Sequence, residues 1–273
     1  MFARVVFLLL LAAATAWLCT VGDFTRHVGE FLALLALATV GMMFLVSTEN
    51  RLMLFVALEL VSLSLYVMTA FDKRSARSAE AALKYFLFGG MAAAFLLFGL
   101  SLLYGLTGSI HLPTMAARLA GQAGDPLAWM AIVLVLAGFG FKIAAVPFHL
   151  WAPGAYEGAP APAAAFIASG SKVASFFALG KLLSAGLAPM GGSGAWGAFV
   201  PGWMSVVALM ATASMVIGNL AAIGQTHVRR LLAYSAVAHA GYALLAVIGG
   251  SQPALLYYAI TYAITSVGAF GVL

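Results

Sequence analysis

Residues 138–172 read GFGFKIAAVPFHLWAPGAYEGAPAPAAAFIASGSK. The runs on either side are apolar and long enough to cross a bilayer. Yet this stretch holds Lys142, Lys172, His149, Glu157 and the prolines Pro147, Pro153, Pro160 and Pro162. A lysine placed in hydrocarbon costs about 2.5–3.5 kcal/mol on insertion scales. A proline inside a span frees backbone groups that protein or water must then satisfy. Both costs in one place point to a site, and passage of an ion is the first chemistry to consider.

Composition sets the frame. Of 273 residues, 64% are hydrophobic and 8% charged, against roughly 25% charged in a water-soluble domain. The fold class expected is all-α, a polytopic membrane helix bundle with the lipid bilayer as its surroundings. The net charge of +5 is scattered over loops and mid-span sites with no basic face, which argues against nucleic acid as a partner. Cys19 is the lone cysteine and offers neither a disulfide nor a metal cluster. No Gly-rich phosphate loop, His/Cys ligand spacing or nucleophile elbow occurs. Any redox cofactor is therefore expected on other chains, with none here.

About nine hydrophobic spans of roughly 17–30 residues follow one another: 3–21, 31–47, 51–71, 79–104, 127–156, 161–187, 203–223, 229–249 and 253–273. The stretches 105–126 and 188–202 read as the longest non-helical pieces. Residues 1–19 admit a second reading, because Arg4, the run Val5–Leu11 and Ala14-Thr15-Ala16 resemble a signal peptide. The run continues through Trp17-Leu18-Cys19, which favours a spanning helix. Lys/Arg counts place the loops carrying Arg26, then Lys73, Arg74 and Arg77, then Arg229 and Arg230 in the cytoplasm. The N-terminus is then outside, although Arg4 argues weakly the other way. The last span ends at Leu273 without polar flank or stop signal, and the chain is expected to be incomplete there. Trp17, Trp129, Trp151, Trp196 and Trp203 mostly fall near span ends, as interfacial anchors do.

The fifth span is too long. Thirty residues of helix reach about 45 Å, beyond a hydrocarbon core of about 30 Å. Pro147 lacks an N–H and clashes one turn back, so a break is expected near Ala144–Val146, just after Lys142.

Glu59, Lys142, Lys172 and His239 lie near the centres of their spans by residue count. Four titratable groups at one depth read as a lateral proton or ion relay, with a structural ion-pair network as the alternative. Glu59 stands in LFVALELVSLSLY, where Ser62 and Ser64 can donate hydrogen bonds. A lysine whose distance to Glu59 changes also changes its hold on a proton. His149 either transfers protons or satisfies carbonyls freed by the break. His239, with Ser235 one turn earlier, is a relay candidate. Lys84, about two turns inside its helix, is open between relay and packing, and Lys181 reads as snorkelling to a helix end. Gly89, Gly90, Gly138 and Gly140 read as close helix-packing positions.

These residues carry a resemblance. The stretch from Gly138 to Phe176 resembles the antiporter-like membrane subunits of bacterial NADH–quinone oxidoreductase, respiratory complex I. So do ALELVSLSLYVMTAF, SAEAALKYFLFGGMAAAFLLFGLSLLYGLTGS and IGNLAAIGQTHVRRLLAYSAVAHAGYALL. Within that family Tyr156-Glu157-Gly158-Ala159-Pro160 and Lys84-Tyr85-Phe86 favour the subunit N type. The resemblance covers roughly residues 45–250.

The resemblance implies a single integral membrane domain over 1–273, with antiporter-like inverted five-helix repeats. Residues 1–30 are a leading helix and loop, 31–187 the first repeat, and 203–273 the start of an incomplete second. It implies that Glu59 modulates Lys142, that Lys84 and Lys172 continue the hydrophilic axis, and that His239 lies on the way to the second half. It implies partners in the other membrane subunits of the complex, a place in the bacterial inner membrane, and NAD, FMN, iron–sulfur clusters and quinone on the whole complex. A multi-chain cation/proton antiporter, a membrane-bound hydrogenase and a non-pumping spacer remain alternatives. The family usually has two more helices before the first span and several after the last, one with another central lysine. Gly154 stands where the family often has an acid.

Overall fold

The computed structural model describes residues 2–21, 25–122, 124–193 and 199–273. Among them no named strand occurs, only the isolated bridges Asn50–His111 and Ser193–Val200. The helices are α1 (Phe2–Val21), α2 (Val28–Ser47), α3 (Arg51–Thr69), α4 (Ala76–Thr107), α5 (Leu112–Leu119), α6 (Pro126–Ile143) and α7 (Trp151–Gly158). They continue as α8 (Ala161–Phe166), α9 (Lys172–Lys181), α10 (Trp203–Ile223), α11 (Val228–Ile248) and α12 (Gln252–Val272). Nine spans among the described residues are long and apolar enough to cross a membrane. With no water in hydrocarbon, each backbone donor must find its partner within the protein, and helices do this locally.

Helix starts follow their caps. The Asn50 side chain accepts from the N–H groups of Leu52 and Met53 at the head of α3. Asp125 accepts from Leu127 N, with Pro126 at the first helical position of α6, where a missing N–H costs nothing. α4 ends on Gly108, whose φ of 55° places it in the left-handed region that glycine enters most cheaply.

Lipid offers no hydrophobic force between helices, so close approach of backbones holds them together. Where α4 crosses α6, a Cβ on Gly138 would stand 2.6 Å from the Leu96 Cβ, and one on Gly99 would stand 2.8 Å from the Ala131 carbonyl. α10 and α11 cross in the same way at Gly218 and Gly241, against Ala238 and Ala211. Gly89 lies under the Tyr66 hydroxyl, whereas Gly90 faces open space and packs against nothing within 4 Å. The expectation for Gly90 is corrected accordingly.

The sixth span, Ala161–Gly186, is the buried axis of the molecule, with its whole most-apolar window inside the bundle. It is not one regular helix. π-helical turns at Ile167–Ser171 and Leu182–Gly186 flank α9. α1, α10 and α12 form the outer flank, their windows only 22%, 28% and 22% buried. Their outward leucines, isoleucines and valines are exposed.

Two expectations need correction. Residues 105–126 are not wholly irregular: α4 runs on to Thr107, and α5 buries Leu112, Met115 and Leu119 at i, i+3 and i+7 against the end of the bundle. Such a short helix is too brief to span. Trp151 and Trp203 are not interfacial anchors. Both are 3% exposed, and their indole N–H groups donate to the carbonyls of Phe141 and Leu187, each at 2.8 Å. Trp196 lies outside the described residues.

Candidate functional site

α6 stops at Ile143, and Ala144 takes the left-handed conformation with φ 56°. A non-glycine residue there is strained by roughly 1–2 kcal/mol. The Val146–Pro147 peptide is cis, and α7 restarts at Trp151. The freed groups are re-satisfied inside the protein. Ala145 N bonds to Gly140 O at 2.8 Å and Phe148 N to Ala145 O at 2.7 Å. Trp151, beyond the break, donates to Phe141 O, before it. Its indole stacks on Tyr85 of α4, with centroids 4.2 Å apart and planes 3° from parallel. Tyr85 meets Tyr66 of α3 edge-on at 4.7 Å.

This frame presents Lys142, 4% exposed, to one face of α3. Glu59, Ser62 and Tyr66 share that face at i, i+3 and i+7. The ammonium of Lys142 donates to the Ser62 hydroxyl, which in turn donates to Leu58 O at 2.5 Å. The rings of Tyr66 and Phe141 lie 5.4 and 5.6 Å from Lys142 Nζ, within cation–π range. Glu59 is half-buried, and its Oε1 is buried without a hydrogen-bond partner. No ion pair among the described residues joins it to Lys142. Ser62, not a carboxylate, holds the ammonium.

A second polar cluster surrounds Lys172. It is 1% exposed and opens α9 directly after the first π-helical turn. Its Nζ donates to Ala236 O of α11 at 2.7 Å, with the Tyr262 ring 5.9 Å away. His239, one turn further along α11, shares a hydrogen bond of 2.5 Å between its Nδ1 and the Tyr258 hydroxyl of α12. Lys172 and His239 line one small cavity with Tyr258 and Tyr262. A larger one of about 190 Å³ continues from His239 past Ser235 and Thr265 to Tyr156. The Tyr156 hydroxyl is buried and unpartnered.

The remaining candidates stand apart. His149 is 8% exposed in the break, its Nδ1 is buried without a partner, and no hydrogen bond among the described residues joins it to Lys142. The Lys84 side chain is exposed and pairs with exposed Glu80 at 2.5 Å, on the outside of α4. Within the described residues no hydrogen bond links the Glu59–Lys142 cluster to the Lys172–His239 cluster. Lys181 does not snorkel: its Nζ donates to Val46 O at 2.7 Å and Thr48 O at 3.0 Å, closing the end of α2. No cluster of three or more His, Cys, Asp or Glu suited to a metal gathers among the described residues. Ser214, Tyr258 and Tyr262 were not singled out in the sequence. Tyr258 and Tyr262, four apart in an apolar span, carried a usable signal, and Ser214 carried none.

Buried amines, one of them beside an interrupted helix, in a bundle of nine apolar spans among the described residues, define a polytopic membrane protein with a polar interior. Residues 48–273 match the model of the NADH:quinone oxidoreductase/Mrp antiporter transmembrane family. The chain belongs to that family. It is 60% identical over 256 residues to NADH-quinone oxidoreductase subunit N 2 of Acidobacterium capsulatum, covering 93% of this chain and 51% of the relative. With subunit N of Nitrosomonas europaea the identity is 44% over 249 residues, 90% of this chain and 50% of the relative. A chain of respiratory complex I from Thermus thermophilus superposes with a TM-score of 0.81 at 39% identity, over 98% of this chain and 56% of that one. The chain spans about half the length of the curated relatives it matches.

Proposed function

We propose that this chain serves in a subunit N-type, antiporter-like subunit of a proton-translocating NADH–quinone oxidoreductase in a bacterial inner membrane. Residues 31–187 form one repeat unit and 203–273 begin the next. Neighbouring membrane subunits are its partners. NAD, FMN, iron–sulfur clusters and quinone belong to other subunits, and this chain contributes the proton path. Glu59, Lys142, Lys172 and His239 are its relay groups. Lys84 and His149 are candidates at its margins.

The observation that carries this reading is the seat of Lys142. Its ammonium is buried at a helix break and held by a neutral hydroxyl, with Glu59 one turn from that hydroxyl on the same face of α3 and in no ion pair among the described residues. A shift that brings Glu59 onto the ammonium, or takes it away, changes the affinity of Lys142 for its proton. Moving one charge against 100 mV needs about 2.3 kcal/mol, which the neighbouring subunits supply by driving that change. The 60% identity to a subunit N supports this assignment over a stand-alone cation/proton antiporter.

The test is Lys142→Met and Glu59→Gln in the full-length protein within the assembled complex. Protons pumped per NADH are expected to fall in both. Wild-type stoichiometry in assembled Lys142→Met complexes would discredit the relay and leave a spacer.

A further inference from the structure

Between α6 and α7 the backbone donors of residues 144–148 can be followed one by one. Ala144 N bonds to Phe141 O, Ala145 N to Gly140 O and Phe148 N to Ala145 O, all within the segment, and Pro147 has no donor. Val146 is different. Its N–H leaves the segment and bonds to Ser214 Oγ on α10 at 2.9 Å. Ser214 is 0% exposed, and its own hydrogen is committed to Met210 O at 2.6 Å. A serine bonding back one turn is ordinary in a buried helix. Accepting a bond from an interrupted neighbouring element is not explained by that habit.

A second contact reinforces the first. Met210, one turn before Ser214, lies so close to Gly140 that a Cβ there would stand 2.9 Å from its terminal methyl. α10 therefore grips the interruption on both sides of Lys142, two residues before and four after. α10 is in turn locked to α11, where Gly241 presses on Ala211 O and Met215. α11 carries Ala236 O, the acceptor of Lys172, and His239.

We infer that Ser214 is a positioning residue for Lys142, the peg through which α10 and α11 set where the helix break sits. This rests on the reading of Lys142 as a relay group. The two polar clusters, which no hydrogen bond joins among the described residues, are thereby joined mechanically. A displacement of α11 that follows the state of Lys172 passes through α10 to Val146, and so to the distance between the Lys142 ammonium, Ser62 and Glu59. Proton transfer at one cluster is then felt at the other without a continuous wire between them.

The experiment uses S214A and S214T in the full-length protein within the assembled complex, reconstituted in vesicles, with Lys142→Met measured beside them. S214A is expected to assemble and to oxidise NADH, with proton pumping per electron lowered several-fold and its pH optimum displaced. Amide exchange in peptides covering 141–150 should rise about tenfold, as for a lost buried hydrogen bond. S214T, which keeps the hydroxyl, should restore all three. Wild-type stoichiometry and pH profile in S214A overturn the inference, as does a failure of S214T to restore them. Where S214A does not assemble, S214C decides, since a thiol is a weak acceptor: an undisturbed pH profile there overturns the inference. If Lys142→Met still pumps, the relay reading itself falls. If it does not pump and S214A is silent, only the role of Ser214 falls.

Discussion

Replacing Lys172 by Met separates what this residue does for stability from what it does for transport. The amine is 1% exposed, and no ion pair among the described residues includes it. Among the described residues its one hydrogen bond is to Ala236 O. Losing a hydrogen bond from a charged donor costs about 1.5–3 kcal/mol. Against that stands the effective penalty of holding an ion out of water, several kcal/mol, which the substitution removes. Methionine matches the lysine stem and adapts to irregular space. The balance is a stability unchanged or raised by about 1–2 kcal/mol. Thermal unfolding of the purified full-length protein should therefore show a Tm no lower than wild type, while proton pumping by the assembled complex falls. A Tm lowered by the equivalent of more than about 2 kcal/mol would show that the Ala236 bond outweighs desolvation and would refute this accounting. Undiminished pumping would refute the relay role.

Lys181→Met removes both bonds to the Val46 and Thr48 carbonyls and should destabilise the protein by about 1–2 kcal/mol. A lowered Tm with normal pumping in assembled complexes is the expected pattern. Tyr258→Phe deletes the hydroxyl 2.5 Å from His239 Nδ1 and leaves the ring in place. Pumping should slow several-fold and lose part of its solvent isotope effect, with Tm within about 1 kcal/mol of wild type.

Much of this could be read in the letters, for identifiable reasons. Lys142 and Pro147 contradict the apolar run around them, so the break and its buried amine follow from a conflict that sequence displays. α5 hid because its eight residues between Gly108 and Gly121, though amphipathic, are too few and too polar to show in a search for long apolar spans. The direction a side chain faces hid for another reason. Counting residues puts Lys142 at mid-span and leaves Lys84 open between relay and packing, because α4 and α6 are apolar nearly all round, and such helices do not announce which side is inward. Only packing turns Lys142 toward α3 and leaves Lys84 outside with Glu80. Ser214 hid because a serine that takes a bond from another helix is spelled like one that bonds only to its own.

The two π-helical turns that flank α9 have a consequence for the buried axis. Each accommodates one residue more than a regular turn would. Handing that surplus from one end of α9 to the other would swivel the ten residues between them by about 100°. It would exchange a few backbone bonds within the span and repack the side chains that α9 buries. Lys172, the first of those ten, would turn with them and part from its acceptor, the Ala236 carbonyl.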